Sequence, residues 1–179
     1  MPKVFVIGFN KCGTSSMCQA LKMLGYHADH FSTQNAVKRA IQEKKPPLHY
    51  VKTPFNAYTD NCWISYNFEL LDKHYPGSKF ILLTRNMEDW LKSRKKHVLR
   101  NRKAAAKGEY KGGWLKIEEK KWIRNWNRYH PRVKKYFKNR PKDLLIIDVC
   151  KGEGFDKLCS FLGKKKPNAY FPRENITKK

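Results

Sequence analysis

A chain of 179 residues, 40% of them hydrophobic and 13% aromatic, can bury a real core, which excludes a disordered polyelectrolyte and suits one domain spanning 1–179. Its formal charge of +24, from 39 Lys and Arg against 15 Asp and Glu, selects anionic partners: nucleotides, nucleic acid, sulfated or phosphorylated substrates, or an anionic membrane surface. Five cysteines with no C-x-x-C pair speak against a disulfide framework or a zinc site, and reduced thiols fit a cytoplasmic protein.

The first element is the apolar run "KVFVIG", which ends at Gly8. It is too short for a signal-peptide core and reads as a buried parallel strand. No run approaches the length of a membrane span, and no targeting segment is expected. Met17, Ala20, Leu21 and Leu24 then recur with helical spacing, and Gly25 stops that helix. A second helix is expected over Thr33 to Glu43, and "LHYVKTP" reads as a short strand ended by Pro54. Cys62 to Tyr75 reads as a helix closed by "YPG". "SKFILLT" is a second buried strand, followed by a helix beginning near Met87. Arg100 to Gly113 is the segment expected to be least ordered. Leu115, Trp122, Trp126, Tyr129, Val133 and Tyr136 follow helical spacing, with Pro131 expected to kink or divide the helix. "DLLIIDV" is a third strand, "FDKLCSFLG" a last short helix, and "KKKPNAYFPREN" a basic terminal loop. Strands alternating with helices predict an α/β fold: three layers, P-loop-like, with a mainly parallel central sheet flanked by helices.

The turn between the first strand and the first helix carries the chemistry. In "GFNKCGTSS", Gly8 and Gly13 have the spacing of an ATP- or GTP-binding loop. The lysine that should follow the second glycine is missing, and Lys11 stands two residues before it. A strand end and a helix N-terminus form an anion site. Gly13 lets the backbone approach, and Thr14, Ser15 and Ser16 add hydroxyl donors. From its earlier place Lys11 could reach an oxygen bridging two anionic groups without a metal.

This arrangement resembles the sulfotransferases that use 3′-phosphoadenylyl sulfate (PAPS), whose loop reads roughly P-K-S-G-T-[TS]. The match here is Asn10-Lys11-Cys12-Gly13-Thr14-Ser15, with Asn10 and Cys12 replacing the proline and the serine. "YPGSKFILLTRNMEDWLKS" adds Arg85 at a strand end and Ser93 eight positions later, the pair that holds the donor's 3′-phosphate in the family. "FLGKKKPNAYFPREN" is similar to the ending of a compact, single-domain branch. The resemblance implies a transferase moving a sulfuryl group from PAPS to a hydroxyl or amine and releasing 3′-phosphoadenosine 5′-phosphate (PAP), with no metal required. It implies that Lys11, Cys12, Gly13, Thr14, Ser15 and Ser16 hold the 5′-phosphosulfate. Lys11 would also stabilise the breaking bond, and Arg85 and Ser93 would hold the 3′-phosphate. Phe171, Pro172, Arg173 and Asn175 would either close over the nucleotide or form a core-packing turn.

A base must take the acceptor's proton. The resemblance makes Asp60 in "YTDN" the first candidate, since the compact branch tends to place a "TD" segment before the helix leading to "YPG"; Glu69, His27 and His30 are alternates. Trp114, Trp122 and Trp126 could stack on a base or sugar, or form a core stripe. Nine Lys and Arg in 92–111 keep a second reading open, a binder of nucleic acid or another anionic polymer, or a basic surface that recruits an anionic acceptor. A nucleotide kinase is disfavoured by the absent Gly-Lys-Thr order. A cysteine phosphatase is set aside, because Cys18 rather than arginine lies five residues after Cys12.

Overall fold

The computed structural model describes residues 2–174. They divide into two compact units: residues up to Thr84 together with those from Tyr136 onward, and Arg85–Lys135.

The first unit is an α/β layer structure around a five-stranded sheet: β1 (Val4–Gly8), β2 (Ala28–His30), β3 (Ala57–Thr59), β4 (Lys79–Leu83) and β5 (Leu144–Ile147). The strand order is β2-β3-β1-β4-β5 and every pairing is parallel. Helices α1 (Thr14–Met23), α2 (Gln34–Gln42), α3 (Cys62–Tyr66), α4 (Phe68–His74) and α7 (Phe155–Leu162) flank the sheet. Burial on both faces explains why β1 and β4 are unbroken apolar runs. Phe5, Ile7, Phe80, Ile81, Leu82 and Leu83 are all at most 1% exposed. Each such side chain contributes about 1.5–3 kcal/mol, so the central strands anchor the unit. β1 lies at the middle of the sheet, where the strand order switches direction, and β1 and β4 are aligned so that Gly8 lies opposite Leu83. In open parallel sheets such a switch point opens a crevice at the carboxyl ends of the strands.

The fold departs from the sequence reading in four places. "LHYVKTP" is not a strand: His49 donates its N–H to the Pro46 carbonyl and Val51 to that of Leu48, so the segment is a pair of turns behind Pro46 and Pro47. The strand of this region is the later β3, and β2 precedes it; both are only three residues long. Cys62–Tyr75 is two helices, parted at Asn67, whose side-chain amide donates to the Trp63 carbonyl at 2.8 Å. The segment expected to be least ordered is in large part helical, as the next paragraph describes.

The second unit holds α5 (Met87–Ala106) and all but the last residue of α6 (Glu119–Tyr136). Asn86 caps α5 by accepting the Asp89 N–H, and Glu88 and Asp89 complement its N-terminal dipole. The Ala104–Ala106 run favours helix, and the chain beyond is tied back by Asn101 and Arg102, which donate to the Trp114 and Leu115 carbonyls. These bonds order most of Arg100 to Gly113. Pro131 does not divide α6. It lacks an N–H, so the Asn127 carbonyl loses its helical donor, but both residues are exposed and water can take its place. The tryptophans form the core of this unit. Trp122 and Trp126 are buried, and Arg94 lies over the rings of Trp90, Trp114 and Trp122 at 4.5–4.9 Å. Trp122 and Trp126 thus belong to a core stripe, while Trp114 is half-buried beneath the Arg94 guanidinium.

Candidate functional site

The turn from β1 to α1 is held by close backbone packing. Gly8 has φ 121°, and a Cβ there would come within 2.7 Å of the Leu83 carbonyl oxygen on the adjacent strand. Gly13, at φ 89°, is pressed against Val149 of the 3₁₀ turn Val149–Lys151, where a Cβ would sit 2.2 Å from the Val149 methyl. Lys11, between them, is itself left-handed at φ 67°. A lysine in that region stores strain, which persists where the surroundings impose it and recurs at functional sites.

Gly13 precedes α1 without a side-chain cap, and the first turn of α1 contains no acidic residue. Its leading N–H groups lack intrahelical acceptors, and the macrodipole adds positive potential at the same place. Thr14 and Ser15 are half-buried there. Cys12 is fully buried, so its thiol is not presented to a ligand. The Ser16 hydroxyl is also mostly buried and accepts the Glu174 N–H at 3.0 Å. That bond brings the end of the described chain, including exposed Arg173, to the first turn of α1. Phe171 anchors the approach, its ring 5.1 Å from that of Phe155. Asn175 lies outside the described residues.

Asp60 joins this turn from the end of β3. Its carboxylate lies 3.8 Å from His30 Nε2, and the same nitrogen is 3.3 Å from the Ser15 hydroxyl. Asp60 also has a left-handed backbone, at φ 54°. Burial pushes its carboxyl above the usual carboxylate range, while His30, the Thr14 hydroxyl and the charge of Lys11 pull it down without cancelling the rise. Residues from three strand ends thus form one cluster: Lys11, Thr14 and Ser15 after β1, His30 at the end of β2, and Asp60 after β3. Lysine and helix N–H groups can bind an anion, and a partly buried carboxylate beside a histidine can accept a proton.

His30 was only an alternate in the sequence reading, since nothing in its local pattern marks it; parallel pairing of β2 with β3 brings it to Asp60. His27 lies just before β2, its ring 4.6 Å from that of Phe55. Glu69 lies in the first turn of α4. Arg85 follows Thr84 at the end of β4, where the Thr84 N–H bonds the Ile147 carbonyl at 3.0 Å. Ser93 is half-buried on α5 of the second unit, about two helical turns beyond Met87.

A family model for a sulfotransferase domain matches residues 3–116 and 103–179. No curated protein sequence matches the chain. Among solved structures, a sulfotransferase from Alicyclobacillus acidocaldarius has a similar fold, with a TM-score of 0.60 at 16% identity, covering 100% of this chain and 87% of the other.

Proposed function

The chain belongs to the sulfotransferase domain family, and from that premise we propose that it transfers a sulfuryl group from PAPS to a hydroxyl or amine, releasing PAP. The observation that carries the reading is the cluster of Lys11, Thr14 and Asp60 at the open N-terminus of α1. The Thr14 and Ser15 hydroxyls and the N–H groups of that turn hold the 5′-phosphosulfate. Lys11 faces the oxygen between phosphorus and sulfur, where negative charge grows as the bond breaks. Asp60, oriented by His30, accepts the proton of the attacking group. The transferring sulfonate carries little charge, so the lysine and the helix end suffice without a metal. Arg85 and Ser93 bind the 3′-phosphate that distinguishes PAP from AMP, and Arg173 closes over the nucleotide.

Calorimetry with EDTA present tests the donor. PAP should bind and ATP should bind more weakly. Arg85→Lys retains charge but loses the planar fork that makes two parallel bonds to a phosphate. It should therefore erase most of the preference for PAP over AMP and leave AMP affinity nearly unchanged. ATP binding that depends on Mg²⁺, with no response to PAP, would refute the donor; equal weakening of PAP and AMP would remove Arg85 from the 3′-phosphate.

One observation favours a second, compatible reading, a surface for anionic polymers. Lys92, Lys96, Arg100, Lys103 and Lys107, all exposed, fall within roughly an 80° arc of α5 and its C-cap at 3.6 residues per turn. Lys121, Arg124, Arg128, Arg132 and Lys135 fall within a similar arc of roughly 80° on α6. Such stripes are ladders of positive charge, and binding through them releases counterions. Heparin or duplex DNA should bind with an affinity that falls steeply with salt. Replacing Lys96, Arg100 and Lys103 by glutamine should flatten that slope. An unchanged slope would leave the α5 stripe a solvated face.

A further inference from the structure

Beside the cluster, Phe31, Ser32, Gln34 and Asn35 line a recess of about 300 Å³. Its wall is a constrained piece of chain. Buried Asp29 accepts the N–H and hydroxyl of both Ser32 and Thr33, with 2.6 Å for the Thr33 hydroxyl. Phe31, just before them, is forced to φ 73° and turned outward, 57% exposed. An aromatic ring held out by a left-handed backbone costs stability twice, in strain and in exposed apolar surface.

The same segment is tied to the residues on either side of Asp60. The Phe31 N–H donates to the Thr59 carbonyl at 3.1 Å, Asn61 donates its amide to the Thr33 hydroxyl at 3.3 Å, and the Cys62 thiol donates to the Gln34 side-chain oxygen Oε1 at 3.1 Å. His30, which contacts Asp60, is the residue immediately before Phe31. The recess is therefore fixed in place relative to the proton-accepting carboxylate.

We propose that this recess is the acceptor subsite and that it takes a single neutral sugar ring; the inference rests on the sulfotransferase reading above. In a chain of charge +24, the four described residues that line the recess carry no charge. The lining itself offers no anion to an ammonium and no cation to an acidic ring. The recess is at the small end of ligand pockets, which run from about 300 to 1,000 Å³, so it suits one ring rather than a polycycle. Its chemistry is one aromatic face with a hydroxyl and two amides around it. A pyranose satisfies this pattern, with its C–H face on Phe31 and its hydroxyls on Ser32, Gln34 and Asn35. A phenol would need apolar walls on both sides. In the reaction, a sugar oxygen bonds to sulfur as the sulfur–oxygen bond of PAPS breaks. The bonding pair leaves with PAP, and the sugar's proton passes to the Asp60 carboxylate.

The test uses the full chain, labelled PAPS and a panel of methyl β-glucoside, N-acetylglucosamine disaccharide, 2-naphthol, tyramine and heparin. A neutral glycoside should be sulfated. Phe31→Ala should raise its KM about tenfold, the worth of one ring contact, with a smaller change in kcat and an unchanged Kd for PAP; Phe31→Tyr should restore it. Transfer to 2-naphthol, tyramine or heparin in place of the glycosides would overturn the proposal, as would no transfer to any glycoside by protein that binds PAP. Saturation-transfer NMR of methyl β-glucoside reads the recess without the donor. Signal in the wild type and its loss in Phe31→Ala support the subsite, and no signal in the wild type overturns it. Failure to bind PAP, with glycoside signal intact, would count against the donor reading alone.

Discussion

Asp60→Asn should lower kcat for sulfuryl transfer by about 10²–10⁴-fold, the usual contribution of a positioned general base, with PAP affinity little changed. The amide keeps the shape and cannot take a proton. His30→Gln should cost less, because it removes the group beside the carboxylate rather than the acceptor of the proton. If His30→Gln abolishes turnover and Asp60→Asn does not, the roles are reversed. The pH profile supplies a further readout. Because burial raises the Asp60 carboxyl above its ordinary value, activity should fall on the acid side at a higher pH than an exposed aspartate would give. Bound donor adds negative charge nearby, so the acid limb of kcat should lie above that of kcat/KM.

The same carboxylate has a consequence for stability. A group whose pKa is raised on folding favours the folded state below its unfolded pKa, and that contribution is lost as pH rises through the folded value. Above both values Asp60 is ionised at a cost. Asp60→Asn should therefore raise the melting temperature of the ligand-free protein at pH 8, and the gain should vanish once the wild-type carboxyl is protonated. A lower melting temperature at pH 8 would show that His30, the Thr14 hydroxyl and Lys11 together outweigh burial.

Lys11→Ala should lower kcat by about 10²–10³-fold, or about 3–4 kcal/mol, the range found on removing one transition-state donor. PAP affinity should fall much less, since the contact strengthens only as charge builds on the bridging oxygen. Lys11→Gly gives a useful contrast. Both variants lose the ammonium, but glycine adopts φ 67° without strain, so it should be the more stable of the two. Equal turnover in Lys11→Ala and wild type, under single-turnover conditions, would remove the lysine from the mechanism.

The parts of this molecule that could be read from sequence are those whose cause is local. β1 and β4 announce themselves because strands buried on both faces must be apolar throughout, and the half-buried edge strand β5 does so by its unbroken Leu and Ile run. The turn at Gly13 is legible because close approach to Val149 leaves room for no side chain. β2 and β3 are illegible for the opposite reason. "ADH" and "AYT" have no pattern of their own and become strands because β1 offers an edge to β3 and β3 offers one to β2. "LHYVKTP" shows the converse error, an apolar run without a sheet to join. Asp60 could be chosen from the family resemblance, but its neighbours could not. Lys11, Thr14 and His30 are separated from it by tens of residues, and the strand order alone brings them together.

The bond from the Glu174 N–H to the Ser16 hydroxyl joins residues 158 positions apart. During synthesis the β1–α1 turn leaves the ribosome early and must wait for the segment that covers it. At about 5–20 residues per second that interval is roughly 8–30 s. Over that time the anion-binding end of α1 is exposed on a nascent chain and open to cellular nucleotides and nucleic acid. For this protein, a segment made 158 residues later completes the turn.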